Sequence, residues 1–329
     1  MRRTYLLMLF GLLLLPLWFV GCSPPPKMWT GAKIGQKKIL VSFPPLYALT
    51  HAIGGDDAYV LCLLTTQGPH DYDGSPTDLL MVNEADLFIY NGLSLDDEFV
   101  SKMLRNHRNK SLQTLSVGGV LKDRKLVLEN KDAAAQKGHE GHDHGDHDPH
   151  IWLGARQAIE MARVIAEQLS ELDPDRKKKY QERRDALIVK LQKLHDEGKA
   201  ALKDKKNKKI VTMHEAFRYF ADKDYGFDLD IKAVIQMKPG LDPDPVSLAR
   251  LIDTCKDEKV ALITKEPQYS DAQAEMLQRS LKSKGIDIKI VTLDPLETAP
   301  PMEGKVNPDP DYYFKKMREN IDTLAKALP

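Results

Sequence analysis

Ten histidines stand in this 329-residue chain, and five of them, His139, His142, His144, His147 and His150, fall within twelve positions. Imidazole at this density is the chemistry of transition-metal binding before anything else. Two further candidates are isolated, His70 in GPHDYDGSP and His214 in IVTMH, and His150 in DPHIWL stands at the edge of the cluster. Three imidazoles completed by a carboxylate or water make a tetrahedral site of the zinc type. These three are separated by 80 and 64 residues, so no local ligand spacing joins them. Each is either a satisfied polar histidine in its own loop or a ligand that only a fold could bring to the others.

The elements around them follow a pattern. From Lys37, short β-branched runs alternate with helical ones: KKILVSF, AYVLCLLTT, DLFIYNG and SLQTLSV, then, after a long interruption, KKIVTMH, DLDIKAVIQ, KVALITKE and IDIKIVTLD. Such alternation predicts parallel sheets covered by helices. Pro44 or Pro45 and Pro76 mark helix starts, with Ser75 as an N-cap. Asp173-Pro174 opens about thirty residues of high charge with apolar spacing, a helix of roughly 45 Å that is longer than one domain is wide. The expected fold is therefore α/β, two lobes each with a mainly parallel four-stranded sheet, joined by one long rigid helix. The expected divisions are a signal peptide 1–21, a lipid-anchored linker 22–36, an N-terminal lobe 37–172 with a histidine-rich loop 118–149, an interlobe helix 173–206 and a C-terminal lobe 207–329. Ligands in open α/β sheets sit beyond the carboxyl ends of the strands. His70, His214, Glu266 and Asp294 all follow strands, and His150 begins the helical run after the irregular loop.

Charge narrows the function. The 48 basic and 48 acidic residues cancel, so no domain-wide basic field exists to bind nucleic acid or an anionic membrane. Arg2 and Arg3 precede the apolar run from Tyr5 to Val20, and Gly21 and Cys22 follow, the layout of a secretory signal. That run is short for a span, which needs about 20 residues. Removal of the signal leaves Cys62 and Cys255, expected as two separate buried thiols.

The ending FVGC resembles the lipobox of bacterial lipoproteins, which implies lipidation of Cys22. The segments GPHDYDGSP, DPHIWL, MHEAFRYFA, MKPGLDPDPVSLARLI, ITKEPQYSDAQAE and TLDPL resemble, in order and spacing, the zinc and manganese solute-binding proteins of bacterial ABC transporters, the metal-binding cluster A-I family. The likeness covers nearly the whole chain after Cys22. It implies two α/β lobes bridged by a rigid helix, with metal in the cleft. On this resemblance His70, His150 and His214 match the three family histidines. His214, where manganese members usually carry glutamate, points to Zn²⁺. Asp294 aligns with a carboxylate that some members use and others replace with water, and Glu266 is the second candidate. Asp73 and Gly74 depart from the usual Glu-Pro after the first histidine.

The tract GHEGHDHGDHD at 138–148 includes His-x-His-x-Asp-His, a string that resembles the metal motif of the metallo-β-lactamase fold. There the motif follows an apolar strand, whereas here it follows AAAQKGHEG, so the string is set aside as a hydrolase motif. No His-Glu-x-x-His, Gly-x-Ser-x-Gly or phosphate-cradling loop supports an enzyme either. The tract is expected to be a weaker auxiliary site of His139, His142, His144 and His147, since ordering it carries an entropic cost. The expected function is capture of zinc outside the cytoplasm by a monomeric lipid-anchored protein and delivery to a membrane permease, with no chemical step. The alternatives are a manganese or other divalent-metal binder, an adhesin, or a zinc-dependent hydrolase that uses the cleft metal to activate water. Affinity should fall below about pH 6.5, because the neutral imidazole is the ligand.

Overall fold

The computed structural model describes residues 28–70, 72–130, 145–236 and 243–329. The signal segment, Cys22, His139, His142 and His144 lie outside the described residues.

The first half begins β1 (Lys37–Val41), α1 (Pro44–Gly54), β2 (Ala58–Cys62), α2 (Pro76–Glu84), β3 (Leu87–Tyr90), α3 (Asp97–Asn106) and β4 (Gln113–Ser116). Proline opens α1 and α2, where its missing N–H costs nothing. At the start of α2 the Asp78 carboxylate accepts the Ser75 backbone N–H at 2.6 Å, half of a capping box. All four strands are parallel, in the order β2-β1-β3-β4.

The irregular stretch expected from 118 begins later than expected, because α4 (Val117–Asp123) follows β4 directly. The glycines in GGV hid this helix, yet the packing requires one of them. A Cβ on Gly118 would lie 2.6 Å from the Asn91 carbonyl oxygen. Ser116 Oγ caps the turn by accepting from the Gly119 N–H.

Two helices, α5 (Ala155–Leu172) and α6 (Lys177–Leu202), then lead into the second half. The 26 residues of α6 span about 39 Å. The second half contains β5 (Lys209–Thr212), α7 (Arg218–Ala221), β6 (Asp230–Val234), α8 (Pro245–Asp257), β7 (Leu262–Lys265), α9 (Ala272–Ser283), β8 (Lys289–Thr292) and α10 (Tyr312–Ala327). Its four parallel strands run β6-β5-β7-β8, the same order as the first sheet. Each of the eight observed strands falls within a run read from the sequence. Cys62 and Cys255 are both buried and free.

Strand alternation divides the interior. Ile210 on β5 and Leu262 on β7 join a core that continues into the N-terminal sheet, α5 and α6, whereas their neighbours Val211 and Ile263 face α8 and α9. The two halves therefore share one apolar interior along α6, which packs against α1, α5 and α10. Where α6 passes the C-terminal half, Gly198 leaves room for Phe227: a Cβ there would lie 2.4 Å from Phe227 Cε1 and 2.8 Å from Ile321 Cδ1. Gly198→Ala should gain about 1 kcal/mol of helix propensity and lose about 1–3 kcal/mol to overpacking. We expect a lower urea midpoint with an unchanged slope.

Candidate metal centre

The topology sets where the ligands must lie. In both sheets the order of strands reverses direction beside the first strand, so loops leaving the carboxyl ends there part and open a crevice. The carboxyl ends of the two sheets face each other across it. His70 comes from the loop after β2, His214 lies just beyond β5, Glu266 just beyond β7, and the chain from β8 leads through Asp294 to Glu297. His150 precedes a 3-10 turn, Ile151–Leu153, ahead of α5.

His70, His150 and His214 come together, and the fourth group among them is Glu297. Their ring centroids form a near-equilateral triangle with sides of 5.4, 5.5 and 5.6 Å. Glu297 Oε1 lies 3.2 Å from His70 Nε2, 3.3 Å from His214 Nε2 and 3.6 Å from His150 Nε2. Zinc bonds of about 2.0–2.2 Å in a tetrahedron separate neighbouring donors by about 3.3–3.6 Å. The carboxylate-to-imidazole edges already have that length, and the four donor atoms all lie within 4.8 Å of one another.

Surrounding groups set which imidazole nitrogen faces inward. His214 Nδ1 donates to Glu266 Oε2 at 2.6 Å, and its backbone N–H donates to Glu266 Oε1 at 3.2 Å. Glu266 thus orients His214 and lies outside the four-residue cluster. His150 Nδ1 and its backbone N–H both donate to Asp148 Oδ1, at 2.8 and 3.0 Å. In each case Nε2 is left to the crevice, the arrangement by which outer carboxylates hold metal-binding imidazoles. Gln268 ties the carboxylates together by donating to Glu266 at 3.0 Å and Glu297 at 3.5 Å. The segment before His150 is held from both halves. Asn91, after β3, donates to the Pro149 carbonyl, and the Tyr219 hydroxyl on α7 donates to that of Asp148.

Asp294 is a correction. It is not in the cluster: its Oδ1 accepts the Leu296 N–H at 2.8 Å and its Oδ2 accepts from the Tyr312 hydroxyl at 3.3 Å. It closes the turn in which Leu296 takes a positive φ of 65°, after which Glu297 follows. Proximity to the strand end favoured Asp294, but its two oxygens are engaged by its own turn and by Tyr312 and lie outside the cluster. Glu297 shares the proline-rich LDPLETAPP with Asp294, so residue type and spacing offered no signal that favoured it. Asp148 was also missed as the group that orients His150. His147 pairs with Glu129 in an antiparallel bridge outside the cluster.

The site is sealed, with His150, His214, Glu266 and Glu297 each no more than 2% exposed. Burial alone would raise the Glu297 carboxyl, but the charges of His70 and His214, with hydrogen bonds from His150 and His214, hold it well below the usual carboxylate range. Burial opposes charge on His214, yet Glu266 and Glu297 overcome it and push the imidazole up to about 10. His150 is raised in the same way, against its burial, by Asp148 and Glu297. His70 is lowered by burial, which Glu297 only partly offsets. Without metal, protons compensate the buried carboxylates.

This architecture, two parallel-sheet halves on a long helix with imidazoles and a carboxylate gathered between them, defines a metal-type solute-binding protein. The chain belongs to the ZnuA family, described as zinc-uptake complex component A, periplasmic, whose model matches residues 39–327. It is 31% identical over 297 residues to the zinc-binding lipoprotein AdcA of Streptococcus pneumoniae, an alignment covering 89% of this chain and 56% of that protein. The chain thus spans little more than half the length of the AdcA relatives it matches. It is 30% identical over 331 residues to the manganese ABC transporter substrate-binding lipoprotein PsaA of Streptococcus mitis, covering 97% of each. The crystal structure of Zn(II)-bound AdcA from S. pneumoniae superposes with a TM-score of 0.69 at 29% identity, covering 89% of this chain and 58% of that one.

The raised pKa of His214 moves the expected pH window upward from 6.5. A group protonated below about 10 must release its proton to bind metal, so apparent affinity should rise with pH through neutrality and fall as pH decreases. Calorimetry at pH 7 in buffers of different ionisation enthalpy should show at least about one proton released per ion. Separately, Glu266→Gln and Asp148→Asn should each weaken metal binding about 10- to 100-fold while leaving one ion bound per chain.

Proposed function

We propose that this chain captures Zn²⁺ outside the cytoplasm and passes it to the membrane permease of an ABC-type uptake system. The observation that carries this reading is the set of 3.2, 3.3 and 3.6 Å separations between Glu297 Oε1 and three imidazole Nε2 atoms, the edges of a zinc-sized tetrahedron. The ligands are His70, His150, His214 and Glu297. Zinc is cargo, so the site needs strength and reversibility and no reacting group. The protons on the imidazoles in the metal-free protein exchange for the ion, and the carboxylates Glu297, Glu266 and Asp148 supply the negative charge that compensates it.

The manganese reading draws on the similarity to PsaA. The donor set favours zinc, since three imidazoles suit a borderline-soft ion and manganese prefers oxygen. Attachment through a lipidated Cys22, a monomeric state and a weaker auxiliary site on the histidine-rich tract belong to the same reading. The shared apolar interior along α6 supports small tilts and loop rearrangements over a wide hinge closure.

Calorimetry with Zn²⁺ and Mn²⁺ on protein lacking residues 139 to 147 tests the assignment. One tight zinc event is expected, with manganese weaker. Glu297→Gln and His214→Ala should each weaken zinc by more than the roughly 10- to 100-fold typical of an orienting residue. Tight binding that survived either substitution would remove that residue from the site. In the intact tract, a second, weaker zinc event should appear and be absent from the deleted protein.

A further inference from the structure

The loop that carries Glu297 leaves the C-terminal sheet, but its hydrogen bonds run to the other half of the molecule. The Pro295 carbonyl accepts from Trp152 Nε1 at 2.7 Å, and the Ala299 N–H donates to the Thr65 carbonyl at 2.6 Å. Further on, Asn307 meets the outer edge of β2, which is an end strand of its sheet. Its Oδ1 accepts the Cys62 N–H at 2.9 Å, and its Nδ2 donates to the Val60 carbonyl at 2.9 Å. Residues two apart on a strand point their backbone groups to the same edge, so one side-chain amide replaces one rung of a missing neighbouring strand. The loop is closed on itself as well. The Met302 N–H donates to the Asn307 carbonyl at 3.0 Å, and Pro301 and Pro308 form an antiparallel bridge.

We infer that Asn307 is a positioning residue for the metal site, a clamp that fastens the Glu297 loop to the edge of β2 and so keeps the carboxylate in register with His70, which the chain from the same strand delivers. This rests on the reading of Glu297 as a metal ligand. Two ligands from opposite halves are thereby referred to a single strand. Without the clamp, the loop would keep its turn at Asp294 and its ties at Pro295 and Ala299 to the N-terminal half, but the stretch beyond Ala299 would lose its hold on β2. The chemistry is specific to an amide, because the edge presents one donor and one acceptor. A carboxylate at this position would keep the contact with the Cys62 N–H and set an oxygen against the Val60 carbonyl oxygen.

The test is a double-substitution cycle on the full chain lacking residues 139 to 147. It combines Asn307→Asp with Glu297→Gln and reads the zinc dissociation rate and the visible absorption of the Co²⁺-loaded protein. Asn307→Asp should speed zinc release about tenfold or more and weaken the intense tetrahedral Co²⁺ bands, as Glu297→Gln does. The double variant should release zinc no faster than Glu297→Gln alone, because both act through one carboxylate. Asn307→Ala, which lacks the opposed oxygens, substitutes if Asn307→Asp fails to fold. Additive effects would overturn the clamp, as would a lower melting temperature with unchanged zinc release and Co²⁺ spectrum. If Glu297→Gln itself leaves zinc release unchanged, the ligand assignment fails and takes the clamp with it.

Discussion

The rest of the structure is arranged around one buried charge, the carboxylate of Glu297 enclosed by three imidazoles. An anion withdrawn from water is tolerated only when paired, and here the three imidazole partners are groups that can exchange a proton for a metal ion. The site is held in tension between two occupants. Protons compensate it in one state and a dication in the other, and the geometry that suits the first, near 3.3 Å between nitrogen and oxygen, is also the edge of a zinc tetrahedron. Glu266 and Asp148 deepen the negative potential and set which nitrogen of His214 and His150 faces the ion.

No local segment could build this. The four donors come from four stretches of chain, and two sheets are needed because the carboxyl edge of one reaches only part of the cluster. Their strand order is the same, which places a crevice at equivalent points of each, and α6 sets the distance at which those crevices meet. The shared interior along α6 holds the halves close. Hydrogen bonds that cross between them, from Trp152 to Pro295, from Tyr219 to Asp148 and from Asn307 to β2, all converge on segments that bear ligands.

Much of this was legible in the residues. The β-branched runs announced all eight strands, and the inner ones read as continuous apolar segments because both faces are buried. Proline at the starts of α1 and α2 marked those helices. What escaped was local structure held by tertiary contact. Helix α4 carries two glycines, which weaken any helical signal, and its formation depends on close approach to Asn91. Helix α7 is only four residues long because the chain after Phe220 turns at Gly226, where a Cβ would lie 2.4 Å from the Phe220 carbonyl oxygen.

The metal centre divides in the same way. His70 and His214 were readable because strand ends are where the topology delivers ligands, His150 stood out at the start of the helical run after the irregular loop, and resemblance to a known family of metal carriers singled out the same three. Which carboxylate completes them was not. Asp294 and Glu297 are three residues apart in one loop, identical in charge chemistry and indistinguishable by spacing. The choice rests on a turn: Asp294 spends its oxygens on the Leu296 N–H and the Tyr312 hydroxyl, Leu296 adopts a left-handed conformation, and the next side chain enters the crevice. The sequence by itself determined the parallel sheets and the long helix and marked three candidate imidazoles, because periodicity and residue type are local properties. Only the tertiary structure brought Glu297 beside those imidazoles and set Glu266 and Asp148 on the outer nitrogens of His214 and His150, because direction of approach and competition for hydrogen bonds exist only once the chain has folded.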